Sequence, residues 1–172
     1  KAMNANPQLA FIASSRAVSI DDAGFVNENF PELPTYGMAK PAISDLLEFE
    51  YAFFGSFYIQ GSVFRKETID AIGGFDEDMT GDDIVLRTKL FRWMLENPHW
   101  DFELIEKNNV FYRIHDNNIH KNMGRQIKIV TEYLERYWPD RPNPQLLIDW
   151  VVALVKYYPY EEYISVFALN KT

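Results

Sequence analysis

Gly73-Gly74-Phe75-Asp76-Glu77-Asp78-Met79-Thr80-Gly81-Asp82-Asp83-Ile84-Val85-Leu86-Arg87 is the stretch on which the reading of this chain turns. Two glycines end an apolar segment and admit backbone conformations that other residues resist. Five acids follow within ten residues, with Thr80-Gly81 as a break before the last two. Leu86, Leu90, Trp93 and Met94 recur at helical spacing, so an apolar helix face is predicted to begin just after Asp82-Asp83. Acids in the first turn of a helix suit its positive dipole end. From spacing alone, a helix cap is the commoner role for such a pair. Neighbouring carboxylates at the mouth of a loop also suit a general base, because they can share a proton or hold a raised pKa.

Upstream of this stretch, residues 1–7 read as a helix end and a turn, broken by Asn4, Asn6 and Pro7. The apolar run 9–13 predicts a buried strand ending at Ser14-Ser15. Asp21-Asp22 sits in a turn sequence. Residues 24–41 hold two glycines and three prolines and predict a long loop, either an acceptor-site lining or a surface insertion. Ser44 is placed to cap a helix through Glu50. Residues 53–63 suggest strand pieces with a bend around Gly55 and Gly61. Arg65 and Lys66 follow, where a cation can meet a phosphate or pair with the acids of 76–83. Residues 68–72 form a short helix stopped by Gly73-Gly74.

Downstream, the central helix ends near Asn97-Pro98. Residues 102–105 and 110–114 predict two short strands around Lys107-Asn108-Asn109. His115 and His120 lie in a polar segment, where a histidine is either solvated or a ligand of metal or phosphate. From Gly124 the chain reads as helical. Ile127, Val130, Tyr133, Leu134 and Tyr137 make one face. A proline-rich break at 138–144 precedes an apolar helix over 146–155, and a last segment runs over 160–169.

Three pieces of the central region, Gly61-Ser62-Val63-Phe64-Arg65-Lys66, Ile72-Gly73-Gly74-Phe75-Asp76-Glu77 and Asp82-Asp83-Ile84-Val85-Leu86-Arg87, followed about 30 residues later by Tyr112-Arg113-Ile114-His115, resemble the second half of the catalytic domain of family 2 glycosyltransferases. Those enzymes have the GT-A fold. The resemblance spans about residues 1–122. Where the family has a Glu-Asp pair this chain has Asp82-Asp83, a departure at the first position. The resemblance implies an inverting transfer of a sugar from a nucleotide-sugar donor to an acceptor hydroxyl, in polysaccharide or glycoconjugate synthesis. It implies Asp83 as the base and Asp82 as a supporting acid. Arg65, Gly73, Gly74, Tyr112 and Arg113 would contact substrate, and His115 the metal or diphosphate. It implies a divalent metal, Mg or Mn, held mostly by an Asp-x-Asp motif that these residues lack. That motif would belong to a missing N-terminal half of the domain, so the fragment alone is expected to be inactive. The competing reading is a non-catalytic transferase-like module that binds carbohydrate or a partner protein through its aromatic residues.

Composition sets the outer limits. The chain has 172 residues, 47% hydrophobic and 16% aromatic, enough for a sizeable core and too apolar for disorder. A net charge of −8 argues against a nucleic-acid partner. There is no cysteine, so disulfides and thiolate metal sites are excluded. That fits a cytoplasmic location, with any membrane association through the acceptor or other domains. No apolar run approaches a membrane span, no signal-peptide pattern is present, and the start at Lys1 reads as part of a longer protein. The expected fold class is α/β: a small mixed sheet flanked by helices as a partial GT-A domain over 1–122, then a helical tail over 123–172 packing on it. Exposed sheet edges and the apolar helix at 146–155 predict self-association.

Overall fold

The computed structural model describes residues 2–21, 23–27, 33–114, 122–161 and 164. The fold is mixed α/β with a small open four-stranded sheet. The described chain falls into two compact units. Lys1–Glu77 with Asp82–His115 form the first, and Asp78–Gly81 with Asp116–Thr172 the second.

The first unit is built on one long strand, β1 (Leu9–Ile20). It follows a single helical turn, α1 (Ala2–Ala5). The strand does not end at Ser14-Ser15, as the apolar run suggested. Both serines are buried within it, and Ser14 Oγ donates to the carbonyls of Arg16 (2.9 Å) and Lys107 (2.7 Å). The hydroxyl thus finds acceptors inside the sheet, and burial costs little once a polar group is bonded.

Strand β4 (Asp101–Arg113) runs parallel to β1 along its whole length, from Leu9↔Asp101 to Ile20↔Arg113. The two short strands expected here are one, because register shifts at Ser14/Arg16 and Arg16/Ala17 absorb the polar residues around Asn108 without breaking the ladder. Strands β2 (Val26–Asn27) and β3 (Tyr58–Phe64) pair antiparallel with the end and the beginning of β1. The sheet is therefore mixed. Between β1 and β2 the Asp21 carboxylate accepts the Phe25 N–H (2.8 Å) and Gly24 takes φ +88°, so Asp21 is a turn residue. Gly61 in β3 approaches β4 so closely that a Cβ there would sit 2.6 Å from Val110 Cγ2 and 3.0 Å from Ser14 Cβ.

Helix α2 (Ile43–Phe53) begins two residues earlier than the Ser44 cap predicts. The Asp45 carboxylate accepts the Ala42 N–H (3.0 Å), so the acid three residues in satisfies the end and leaves Ser44 inside the first turn. Helix α3 (Lys66–Ala71) ends in a left-handed glycine pair. Gly73 N–H donates to Asp70 O (3.1 Å) and Gly74 N–H to Ile69 O (2.9 Å), the paired bonds of a Schellman motif. Helix α4 (Asp82–Glu96) lies with α2 over the sheet. Phe11, Ala13, Leu46, Phe57, Leu90, Phe91, Met94 and Phe102 make the core between them, with Phe11 and Phe102 stacked at 5.1 Å. Offset ring contacts of this kind add about 0.5–1.5 kcal/mol each beyond the area they bury.

The second unit contains α5 (Met123–Tyr137) and α6 (Gln145–Tyr157), packed on each other. Asn122 caps α5 by accepting the Arg125 N–H (2.8 Å). Ile127, Val130, Tyr133 and Leu134 are buried, and Tyr137 stacks on Tyr133. Arg136 forms a two-bond pair with Asp78 of the same unit (2.9 and 2.8 Å). Among the described residues no helix is long and apolar enough to cross a membrane.

Candidate active site

Asp82 and Asp83 open α4, as the spacing predicts. The Asp82 carboxylate accepts the Asp83 N–H (2.9 Å) and the Asp83 carboxylate accepts the Ile84 N–H (2.8 Å). Both acids thus satisfy orphan donors of the first turn. Asp82 is exposed. Asp83 is half exposed, with 46% of its side chain accessible, and its second oxygen accepts from Arg87 Nη1 at 3.3 Å.

Arg87 leads from this surface acid into the core. Its side chain is 3% exposed, and its Nε donates to Glu50 Oε1 on α2 at 2.8 Å. Glu50 is completely buried, and the same oxygen accepts the Ser56 hydroxyl. The Ser56 carbonyl in turn accepts the Thr35 hydroxyl, also buried. The Phe57 ring lies 5.7 Å from the guanidinium carbon, within cation–π range. Burial lifts the Glu50 carboxyl above its ordinary range, with Arg87 and Ser56 offsetting part of that rise. Burial also works against the Arg87 cation, but Glu50 and Asp83 more than reverse it and hold the guanidinium charged. Among the described residues Glu50 Oε2 has no hydrogen-bond partner.

The Gly73-Gly74-Phe75-Asp76 turn is fastened to the same helix. Lys89 Nζ donates to the Gly74 carbonyl (2.9 Å) and pairs with the Asp76 carboxylate (2.6 Å). Lys89 lies six residues after Asp83, about 9 Å along the axis. The glycine turn and the acid pair therefore share one helix.

The remaining predicted residues lie elsewhere. Arg65 is the N-cap residue of α3, and its guanidinium donates to the carbonyls of Leu9 (2.8 Å), Met3 (2.9 Å) and Asn6 (3.1 Å), tying the start of β1 to α1. Tyr112 and Arg113 pair with Ser19 and Ile20 at the other end of β1. Eleven residues of strand, roughly 35 Å at strand rise, separate that end from Leu9. Arg113 Nη1 reaches the Asp21 carbonyl (3.5 Å). Tyr112 bears on Tyr58, whose phenol is pushed up to about 12 by burial first and by Tyr112 second. His115 lies outside the described residues.

Among the described residues no three His, Asp or Glu side chains gather to hold a metal ion. The described residues do not form a site for the implied ion. A cleft of about 420 Å³ opens at the starts of β1 and β4, lined by Asn6, Leu9, Lys40, Asp101 and Phe102 among others, away from the acid pair. Lys40 pairs with Asp101 there (2.7 Å). Burial works against the Asp101 carboxylate, but hydrogen bonds from Lys40 and the Phe102 N–H, with the Lys40 charge, outweigh it and hold the group below its usual value.

Glu50, Ser56, Arg87 and Lys89 were not singled out from sequence. Glu50 shares a helix face with Leu46, and Arg87 falls between Ile84 and Leu90 on the buried side of α4. Opposite charges within two apolar stripes are the signal that a buried pair leaves. No protein-family model matches the chain, and no curated protein matches it.

Proposed function

We propose that this chain is the acceptor-side half of the catalytic domain of an inverting glycosyltransferase, with Asp83 as its general base. One observation carries the reading: a half-exposed carboxylate at the start of α4, held from below by a buried guanidinium. A carboxylate offers about four lone-pair sites. Ile84 N–H and Arg87 Nη1 engage one on each oxygen, which leaves room for a substrate hydroxyl. In the reaction, the acceptor oxygen bonds to the anomeric carbon as the bond from that carbon to the nucleotide diphosphate breaks. The hydroxyl proton passes to Asp83. Attack opposite the leaving group inverts the centre. Arg87 keeps the carboxylate oriented, and Asp82 adds negative charge beside it. The nucleotide-binding part, with its Asp-x-Asp motif, lies outside these residues in this reading.

The second reading, a non-catalytic transferase-like module, has its own support. Both Asp83 oxygens already have protein partners, as a structural helix cap would. The test is a panel of nucleotide sugars with hydroxyl acceptors, run on the protein that carries the preceding half and followed by nucleotide diphosphate release. Acceptor-dependent release is expected, and none from these 172 residues alone. Absence of release with every donor, in a protein that binds oligosaccharide, favours the second reading.

A further inference from the structure

We propose that Glu50 is a positioning residue for Asp83, acting through Arg87. The inference rests on the reading of Asp83 as the reacting acid. Its geometry is independent of that reading.

The guanidinium is a flat, rigid fork, so fixing one edge fixes the direction of the other. Glu50 Oε1 fixes the Nε edge at 2.8 Å, and Ser56 Oγ, bonded to the same oxygen, fixes Glu50. The Phe57 ring limits the fork from one side. Nη1 is then left aimed at Asp83 Oδ2. An exposed acid with an exposed partner wanders among rotamers, and such pairs hold little. Here the partner is 3% exposed and cannot wander, so Asp83 is set by the core rather than by solvent.

The arrangement is costly, and the cost is informative. Among the described residues Glu50 Oε2 is buried without a hydrogen bond, so part of its desolvation is uncompensated. Well-packed apolar residues in place of a buried ion pair are often as stable or more so. Stability alone therefore gives no reason for Glu50 and Arg87. A fixed cation beneath a half-exposed carboxylate does.

The test is nuclear magnetic resonance on the chain at neutral pH, reading the Asp83 carboxyl carbon and hydrogen exchange at Arg87 Nε. Glu50→Gln keeps the size of the side chain and removes its charge. It should speed Arg87 Nε–H exchange by about tenfold or more and move the Asp83 carboxyl resonance, although residues 50 and 83 share no hydrogen bond. Backbone amide signals of β1 should stay in place. Ser56→Ala should give the same changes in smaller measure, and it decides the matter if Glu50→Gln fails to fold. An Asp83 resonance that stays at its wild-type position in the folded variants overturns the proposal and leaves Glu50–Arg87 as a core ion pair. Turnover of Asp83→Asn tests the base reading separately, so either idea can fail without the other.

Discussion

Arg87 and Glu50 meet inside the core, Nε to Oε1 at 2.8 Å, with side chains 3% and 0% exposed. Removing one partner strands the other. Arg87→Met should destabilise the first unit by about 3–5 kcal/mol at neutral pH, because an uncompensated buried carboxylate remains. That deficit should shrink as pH falls from neutral toward the ordinary carboxyl value of 4.5, because burial raises the Glu50 carboxyl and, without Arg87 to offset the rise, the stranded group takes up its proton above that value. Glu50→Met with Arg87→Met together should cost less than Arg87→Met alone. Denaturant midpoints at two pH values measure all three. A deficit that does not change with pH would show that lost packing, not stranded charge, is the cause.

Gly61 offers a sharper steric test. Its missing Cβ would meet the Val110 methyl at 2.6 Å and Ser14 at 3.0 Å. Gly61→Ala should therefore push β3 and β4 apart and cost about 1–3 kcal/mol, as overpacking does. Val110→Ala in the same chain should recover part of the loss. An unchanged melting temperature in Gly61→Ala contradicts the close approach.

Tyr58 supplies a pH dependence. Its folded value of about 12 lies above the ordinary 10.0, so the fold favours the neutral phenol. The contribution is fully present below pH 10 and is lost as pH rises from 10 to about 12. Tyr58→Phe cannot titrate. The stability difference between wild type and Tyr58→Phe should move against wild type between pH 9 and pH 12. A constant difference across that range contradicts it.

Much of the frame was legible in the sequence, and the failures have physical causes. The helix after Asp82-Asp83 and the glycine stop at Gly73-Gly74 follow from local rules: apolar spacing in one case, left-handed backbone in the other. The length of β1 does not, because Ser14 and Ser15 look like a break until the Lys107 carbonyl, 93 residues away, accepts the Ser14 hydroxyl. The union of two predicted strands into β4 likewise depends on parallel pairing with β1. Asp83 could be named from its motif. Arg87 and Glu50 could not, since 37 residues separate them and only the packing of α2 on α4 joins them. The separation of Arg65 from Tyr112 and Arg113 along β1 was hidden for the same reason: motif order says nothing of distance along a strand.

Helix α6 has a second apolar stripe. Ile148, Val152 and Val155 are exposed at spacings of four and three residues, while Leu147 and Leu154 are buried. Sedimentation should show concentration-dependent self-association of this chain, and Val152→Glu should abolish it. A single monomeric species at high concentration contradicts this expectation.

We propose that Asp83 takes the acceptor proton. The most direct measurement compares turnover of Asp83→Asn and Asp82→Asn in the protein with its preceding half, using an active donor and acceptor. A positioned base contributes about 10²–10⁴-fold, so Asp83→Asn should lower turnover at least about a hundredfold with donor binding nearly intact. Asp82→Asn should be the milder change. The opposite order would move the base to Asp82, and near-normal turnover in both variants would contradict the account by leaving the two acids as helix caps.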